Sequence, residues 1–396
     1  MKKYRGGVIG LGWMGMLYDL AKRIGDKFEI DDADRPTPEL DVHKKIHHHE
    51  HPGIESNPTS YAEAIYDRPD VELVTAADRD VKRLDAFTER YGITNVYKDA
   101  EEMLKKEKLD IVAIATNTKG RAHFTCMASN LGAKGIFTEK PMAHTLAEVD
   151  EMVSTCAKNG TALSCGAIST THPSFEKAKQ LLNEGAIGEV ISIEASGSHS
   201  QHQNWSYFLD SEPDWVVGIG DTPRSDSGSS EFEGQGMLVT KDGTVVHFRA
   251  GAPGVRITGS EGEIEFDNTF KWALSQKVKT TTYKSETSVI NKMPWPYPQM
   301  MMPYGGIYSL DDVMRTIKGD LDEPKNSGKR VGTAIEVEIA LKQSSAAGGI
   351  TEATLRSDAL SISISSSSTL TSATLTEEFS SRCSTSTSIC SGTLVG

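Results

Sequence analysis

Short apolar runs alternate with amphipathic stretches along the first part of the chain. The apolar runs lack polar interruptions, which is typical of strands buried on both faces. They predict strands over residues 7–9, 73–77, 111–115 and 135–138. Helical periodicity between them predicts helices over residues 14–24, 81–91, 100–106 and 122–131. This alternation indicates a parallel, doubly wound sheet, whose ligands bind at the carboxyl ends of the strands.

The hydrophobic pattern changes in the second half. Thr145 and Glu148 form a capping box that starts a helix, and Gly160 provides its stop. After a strand over 162–167 and a helix over 174–183, the period becomes two. Strands are expected near 190–195, 237–240, 244–249, 262–267 and 278–283, and helices over 308–317 and 333–347. Consecutive strands of this kind predict an α+β domain with a large, open, mainly antiparallel sheet.

Two segments fit neither domain. Residues 25–59 contain Asp, Pro and a histidine cluster without periodicity, so we interpret them as an insertion. After Ser361 more than half of the residues are Ser or Thr and almost none is charged. Such a composition buries too little apolar surface to fold, which predicts a disordered extension or an out-of-frame segment in place of the native end.

Composition narrows the class of ligand. The 396 residues provide enough material for two domains, and 42 Lys and Arg against 55 Asp and Glu give a formal charge of −13. This charge argues against nucleic acid or an anionic membrane as partner and favours a small molecule. Five cysteines without a C-x-x-C pair indicate a reducing, cytoplasmic location and no closed metal site.

A glycine-rich turn follows the first strand and opens the first helix. It reads G-x-G-x-x-G and consists of Gly10, Leu11, Gly12, Trp13, Met14 and Gly15. In such a turn Gly10 permits the sharp bend, Gly12 lets the backbone approach a pyrophosphate, and Gly15 permits close packing of the helix. The context predicts a dinucleotide-binding site at the helix N-terminus.

The second strand ends at Asp78 and Arg79. A carboxylate at this position accepts hydrogen bonds from the adenosine ribose hydroxyls, which favours NAD. Arg79 can instead stack on adenine or pair with a 2′-phosphate, so NADP stays open as an alternative. The spacing from the glycines to Asp78 is longer than usual because the insertion intervenes.

Polar side chains follow the next two strands of the predicted sheet. Thr116 and Asn117 end one strand, with His123 on the next turn, and Glu139 and Lys140 end the other. These sets converge on one sheet edge. A lysine beside a nicotinamide can hydrogen-bond a substrate hydroxyl and stabilise the alkoxide that develops as hydride leaves.

The sequence resembles the glucose-fructose oxidoreductase / inositol dehydrogenase / MocA family of nicotinamide-dependent sugar oxidoreductases over roughly residues 4–349. The segments that carry the resemblance are the glycine fingerprint, Ala77-Asp78-Arg79, the strand over 111–116, Glu139-Lys140-Pro141 and residues 185–189. The resemblance implies that Lys140 assists catalysis. It also implies that the second domain supplies the acid-base residue and a dimer interface, so a homodimer or homotetramer is expected.

The acid-base residue of that family is normally a histidine in a D-x-x-x-H-x-x-D pattern, from which this chain departs. Counting back from Pro213, in a segment similar to the family's later G-x-P-x-x-V, places the base at His202. Ser198 and Trp205 then stand where carboxylates are expected.

Other candidates for the base stay open. Counting from Asp210 as the second acid places Tyr207 at the base position, and His199 is a third choice. A histidine suits the role near neutral pH because its ordinary pKa lies there. His172, before Pro173, matches a position where relatives place substrate-facing polar residues, or it simply begins a helix.

The histidine cluster of the insertion is a candidate metal site by composition. Its members are His43, His47, His48, His49 and His51. Consecutive histidines point in different directions and no carboxylate partner is evident, so no metal is expected. A solvated or substrate-lid loop is the preferred interpretation.

The pattern and the resemblance together predict two folded domains and a tail. Residues 1–143 form a dinucleotide-binding domain, 144–349 a substrate and dimerisation domain, and 350–396 a tail. The expected activity is NAD(P)-dependent hydride transfer between nicotinamide and a secondary alcohol of a sugar, cyclitol or related polyol. An NAD-dependent glycoside hydrolase acting by transient oxidation and a non-catalytic nucleotide-binding regulator are the alternatives.

Overall fold

The computed structural model of the chain describes ten stretches of sequence, which include parts of both predicted folded domains. They are residues 3–17, 60–166, 169–196, 205–221, 232–249, 254–266, 272–279, 286–291, 305–349 and 352–353. The predicted insertion over 25–59 lies outside these residues. His199, His202, the histidine cluster and the tail beyond residue 353 also lie outside the described residues.

A six-stranded sheet organises the first part of the chain. Its strands are β1 (Tyr4–Ile9), β2 (Val71–Ala77), β3 (Val96–Tyr97), β4 (Ile111–Ile114), β5 (Gly135–Thr138) and β6 (Ala162–Cys165). They lie in the order β3-β2-β1-β4-β5-β6 and every neighbouring pair is parallel. The predicted doubly wound parallel sheet is therefore confirmed.

Helices cover both faces of this sheet. After a single π-helical turn (Trp13–Leu17) the described helices are α1 (Tyr61–Asp67), α2 (Val81–Tyr91), α3 (Ala100–Glu107), α4 (Arg121–Asn130) and α5 (Leu146–Asn159). Successive strand residues serve opposite faces: Ala113 and Phe137 belong to one buried cluster, while Val112 and Ile136 belong to the other. This two-sided burial explains why the strands read as continuous apolar runs.

The second sheet has nine strands and is open on one face. After α6 (Pro173–Asn183) come β7 (Val190–Ala195), β8 (Pro213–Ile219), β9 (Gln235–Thr240), β10 (Val245–Phe248), β11 (Val255–Gly259), β12 (Gly262–Phe266), β13 (Trp272–Lys279), β14 (Glu286–Asn291) and β15 (Glu352–Ala353). The strand order is β14-β13-β12-β11-β7-β10-β9-β8-β15. All pairs are antiparallel except β7 with β10, which confirms the α+β expectation.

Two late helices connect the sheets. Helix α7 (Gly305–Lys318) packs against β5 and β6 of the first sheet, and α8 (Gly328–Ala346) packs along β8 of the second and against α5. A buried Lys325–Asp312 ion pair, at 2.5 Å, holds the connection between them. Because the chain returns to the first sheet here, the two domains are not consecutive segments of sequence.

The domain limits expected from sequence differ from the sheet limits in two places. β6 lies beyond residue 143 yet pairs with β5, so the first sheet extends past the expected boundary. β15 lies beyond residue 349 and pairs with β8 through Glu352–Val216 and Ala353–Trp215. None of the helices in the described ranges is long and apolar enough to cross a membrane.

Candidate active site at the carboxyl edge of the first sheet

The glycine-rich turn has the geometry of a phosphate cradle. Gly10 has φ of +89°, and a Cβ there would lie 2.9 Å from the Ala115 carbonyl carbon. A Cβ on Gly15 would lie 1.9 Å from the Gly10 oxygen, so only glycine fits. At Gly12 the nearest atom to such a Cβ is Arg83 Nη1 at 3.9 Å. The turn is therefore tightly packed at Gly10 and Gly15 and open at Gly12, as a bound pyrophosphate requires.

The other residues of the fingerprint build the turn through their backbone and their packing. The N–H groups of Met16 and Leu17 both donate to the Gly12 carbonyl, at 2.9 and 3.1 Å, which produces the π-helical turn. Leu11 is fully buried, and Trp13 and Met14 pack against the core on the same side of the sheet. Their side chains therefore face the protein, and the cradle itself is backbone.

Asp78 ties the end of β2 to the glycine turn. Its Oδ2 accepts a hydrogen bond from the Leu11 N–H at 2.6 Å, and its Oδ1 accepts one from the Asp80 N–H at 2.8 Å. Arg83 Nη1 stands 3.8 Å from the same Oδ2. Asp78 thus shapes the glycine-rich turn at the position where the sequence predicts a ribose-binding carboxylate, whereas Arg79 is exposed beside it.

One buried guanidinium joins the turns that follow β4 and β5. Arg121, only 5% exposed, donates to the Thr116 carbonyl through Nε at 3.1 Å and Nη2 at 2.6 Å. Its Nη1 donates to the Pro141 carbonyl. Thr116 is half-buried and Asn117 is exposed beside it. The predicted convergence of these two strand ends is therefore present in the structure.

Glu139 and Lys140 form the turn after β5, where the Lys140–Pro141 peptide is cis. The Glu139 carboxylate is buried; Oε1 accepts from the Tyr61 hydroxyl at 2.5 Å and Oε2 from the Lys140 N–H at 3.1 Å. Gly166 packs closely against Lys140, since a Cβ at position 166 would lie 2.8 Å from the lysine Cβ. Both Glu139 oxygens thus accept hydrogen bonds from within the protein.

Tyr61 and Arg121 were missed by the sequence reasoning. Burial, reinforced by the Glu139 carboxylate, raises the pKa of Tyr61 well above its ordinary value. Burial also lowers the pKa of Arg121, and Glu139 opposes this effect. The only sequence signal for Arg121 was its position in the first turn of the helix that follows β4. Tyr61 gave no signal.

His123 lies away from this edge. Its side chain is 58% exposed on α4, and Nε2 lies 3.0 Å from Glu101 Oε1 on α3. The helix begins at Arg121, so Arg121 rather than His123 faces the strand ends. The structure therefore does not bring His123 together with the other predicted cofactor residues.

A buried histidine, His172, lies at the start of α6. His172 caps the N-terminus of α6: its Nδ1 accepts from the Ser174 N–H at 3.1 Å and contacts the Ser174 hydroxyl at 2.7 Å. Burial and then the positive charge of Lys325 lower the pKa of His172 to about 4. The imidazole is therefore neutral near pH 7, and its ring packs edge-on against Tyr308.

Of the candidate bases, only Tyr207 lies within the described residues. Its ring packs under the Arg330 guanidinium, with 5.4 Å between the guanidinium carbon and the ring centroid. This distance is within the range of about 6 Å for a cation–π contact. Burial raises the pKa of Tyr207 above its ordinary value. Trp205 is completely buried in the second core and stacks edge-on against Phe248, so an indole fills the space where the resemblance led us to expect a carboxylate.

No group of three or more His, Cys, Asp or Glu side chains in the described part of the chain is arranged to hold a metal ion. The histidine cluster of the insertion falls outside that part.

Comparison with known proteins identifies the first domain. Residues 56–167 match the family model described as an oxidoreductase family with an NAD-binding Rossmann fold, that of the glucose-fructose oxidoreductase / inositol dehydrogenase / MocA proteins. This match confirms the family resemblance and the predicted NAD-binding fold. The family model covers the strands and helices from α1 to β6 but not the glycine-rich turn.

Curated relatives match about a third of the chain. D-apiose dehydrogenase from Paraburkholderia graminis is 35% identical over 117 residues, 30% of this chain and 31% of the relative. Myo-inositol 2-dehydrogenase from Thermotoga maritima is 29% identical over 133 residues, 33% and 39% of the two chains. The chain thus matches about a third of the length of these relatives.

Solved structures extend the likeness to both domains. An aldose-aldose oxidoreductase from Caulobacter crescentus superposes with a TM-score of 0.61 at 20% identity, covering 89% of this chain and 100% of that one. An oxidoreductase from Agrobacterium radiobacter, crystallised with NAD⁺, gives 0.59 at 17% identity, with 89% and 98% covered. At these identities the likeness shows the fold.

Proposed function

Residues 56–167 carry the NAD-binding Rossmann fold of the glucose-fructose oxidoreductase / inositol dehydrogenase / MocA family, and from this premise we propose that the chain is an NAD(P)-dependent dehydrogenase. The reaction transfers a hydride between nicotinamide and a secondary alcohol of a sugar, cyclitol or related polyol. The observation that carries the proposal is the position of Lys140 just after the carboxyl end of β5, where Arg121 joins the Pro141 carbonyl to the Thr116 carbonyl. This position is on the same sheet edge as the glycine-rich turn that follows β1.

The residues present fit a dinucleotide. The open backbone at Gly12 is the one position of the cradle where a pyrophosphate can approach, while Gly10 and Gly15 have no room for side chains. Asp78 stands at the end of β2, where ribose hydroxyls are recognised, and we propose NAD as the preferred cofactor. Thr116, Asn117 and Glu139 line the edge toward the nicotinamide end. When bound, the cofactor supplies the hydride acceptor.

Lys140 acts on the substrate oxygen in this proposal. Its ammonium donates a hydrogen bond to the hydroxyl that is being oxidised and stabilises the alkoxide character that develops there. His202 accepts the hydroxyl proton, with Tyr207 and His199 as alternatives for that role. A histidine is favoured because the pKa of Tyr207 is raised by burial, which makes the phenol a poorer base near neutral pH.

Three variants distinguish the candidate bases. His202→Ala, His199→Ala and Tyr207→Phe are compared with the unmodified protein by the pH dependence of kcat. The base variant loses the ascending limb near neutrality, while the other two keep it. If all three retain normal kcat and the limb, the assignment of the base to this segment is wrong.

The open face of the second sheet supports a homo-oligomer as part of the proposal. Apolar side chains from adjacent strands lie half-buried or exposed on that face: Trp215, Val217, Ile219, Met237, Val239 and Val245. The charged residues Glu194, Arg256 and Glu265 continue the face beyond them. We propose a homodimer or homotetramer in the cytoplasm, to be checked by light scattering coupled to size-exclusion chromatography.

A substrate panel tests the proposed activity. Pentoses, hexoses, inositols and aryl glycosides are assayed for formation of NADH and NADPH fluorescence, with released aglycone measured in parallel. The proposal expects reduction of NAD by a polyol and no release of aglycone. Aglycone release without net NADH indicates hydrolysis by transient oxidation instead. Tight NAD binding without turnover on any member of the panel indicates a regulator.

A further inference from the structure

Two buried side chains hold the Lys140 turn from opposite sides, although neither has a part in the proposed chemistry. Arg121 lies on α4, on the side of the strand end after β4, and Tyr61 lies on α1. Both are almost completely buried, at 5% and 2% exposure. Burying a guanidinium and a phenol at one turn is costly unless their polar atoms are satisfied there, so the partners of these atoms indicate what they are for.

Arg121 donates hydrogen bonds to backbone carbonyls. Its three donating nitrogens reach the carbonyls of Thr116 and Pro141, and no carboxylate in the described residues accepts a hydrogen bond from it. The planar fork of an arginine can span two loops in this way, which a lysine ammonium cannot do equally well. Arg121 therefore cross-links the end of β4 to the residue that follows Lys140.

Tyr61 acts on the other side through Glu139. Its hydroxyl donates to Glu139 Oε1, and the second oxygen of the same carboxylate accepts the backbone N–H of Lys140. The Tyr61 ring is fixed edge-on against Phe137 of β5, with 4.7 Å between ring centroids and an interplanar angle of 72°. The carboxylate orientation, and with it the Lys140 backbone, is thus fixed by a rigid aromatic ring.

We propose that Arg121 and Tyr61 are positioning residues that fix the Lys140 ammonium relative to the strand end at Thr116. This inference rests on the proposed function, because it assigns both residues an effect on turnover through Lys140. Misplacing a reacting group by about 1 Å can cost up to about 100-fold in rate. Since neither residue touches the glycine cradle, where the pyrophosphate is proposed to bind, their loss lowers kcat much more than it weakens NAD binding.

Conservative variants test this with matched controls from the same domain. Tyr61→Phe removes only the hydroxyl, and its control is Tyr91→Phe, where a second buried tyrosine donates to Glu63 Oε2 at 2.8 Å. Arg121→Lys keeps the charge and loses the fork. Its control is Arg5→Lys, at the opposite edge of the sheet, where Nε and Nη2 donate to the Glu107 carbonyl at 3.2 and 3.0 Å.

The expected result is a split between turnover and binding. Tyr61→Phe and Arg121→Lys each lower kcat about tenfold or more, with NADH affinity by fluorescence titration within about twofold, and both controls keep kcat. In a Lys140→Ala background the same two substitutions have no further effect on kcat, because they act through the missing ammonium. Equal losses in the presence and absence of Lys140 overturn the proposal.

Amide hydrogen exchange gives a readout that does not depend on activity. In NAD-loaded protein, peptides containing residues 139–143 and 115–120 exchange faster in Tyr61→Phe or Arg121→Lys than in the unmodified protein and the controls. Unchanged exchange at both turns overturns the proposal even if kcat falls. If the unmodified protein turns over nothing, the proposed function fails, and the exchange result alone still decides whether Arg121 and Tyr61 fix the turn.

Discussion

At the scale of single residues, the proposed cofactor site depends on carboxylates that also hold the protein together. Asp78 accepts hydrogen bonds from Leu11 and Asp80, so the carboxylate that we propose for ribose recognition also holds the glycine-rich turn in shape. Glu139 likewise accepts from Tyr61 and from the Lys140 backbone. Such double use means that a substitution at either acid affects both the geometry of the site and its chemistry.

Asp78→Asn removes the charge and retains part of the geometry. The asparagine oxygen can still accept from the Leu11 N–H, but its amide nitrogen cannot accept from the Asp80 N–H, and the negative charge beside the proposed ribose position and near Arg83 is lost. We expect NAD to bind about tenfold more weakly or worse and NADP to gain relative to NAD, since a 2′-phosphate is no longer repelled.

The measurement is titration of both cofactors into both proteins. The unmodified protein should prefer NAD. Equal or better affinity of the unmodified protein for NADP would show that Asp78 does not select the cofactor.

At the scale of elements, predictability follows the range of the interactions involved. Helix α5 was predicted closely because its signals are local: Thr145 and Glu148 form the reciprocal capping box and Gly160 ends the helix at φ of +66°. The inward position of Arg121 depends on where α4 begins after a preceding 3₁₀ turn, and a shift of one residue rotates the helix by about 100° and points a different side chain inward. The Tyr61–Glu139 contact joins residues far apart in sequence and left no local pattern.

The N-terminus of α6 makes a prediction about pH. The folded protein keeps His172 neutral down to a pKa of about 4, whereas an unfolded chain protonates it near pH 6.5. Between these values the unfolded state binds more protons, so this group lowers stability as the pH falls. From about pH 7 to about pH 5 the loss is about 2 kcal/mol.

His172→Asn isolates this contribution, because asparagine can also cap the helix but does not titrate. Urea unfolding of both proteins at the two pH values should show a smaller loss for the variant. The comparison between proteins is needed because Asp312, whose pKa burial raises to about 6, acts in the opposite direction over part of this range. Identical losses in the two proteins would mean that His172 does not remain neutral on folding.

At the scale of the whole molecule, the fold class followed from the pattern, but the limits of the domains did not. The alternation of apolar runs predicts the parallel sheet and the period of two predicts the second sheet, and both are observed. Helices α7 and α8 return to pack on the first sheet and α5, and β15 pairs with β8. These long-range contacts depend on the assembled surfaces of both sheets, which no local window contains.

Two truncations test the predicted end of the folded part. Removing residues 356–396 should leave the melting temperature unchanged, because their Ser- and Thr-rich composition offers little apolar surface to bury. Removing residues 350–396 should lower it, because this also deletes β15 and its pairing with Trp215 and Val216. Aggregation of the protein that lacks only residues 356–396, measured by light scattering, would show that the tail completes the fold.

The central claim is that Lys140 stabilises the substrate oxygen during hydride transfer, and its most direct test is the Lys140→Ala variant. Stopped-flow measurement of NADH formation at saturating substrate should show a rate reduced on the order of 100-fold or more, with NAD affinity within about twofold. Lys134→Ala, at the opposite edge of the sheet where the lysine pairs with Asp110 at 2.9 Å, should keep the normal rate. A Lys140→Ala protein that forms NADH at the unmodified rate would contradict the proposed mechanism.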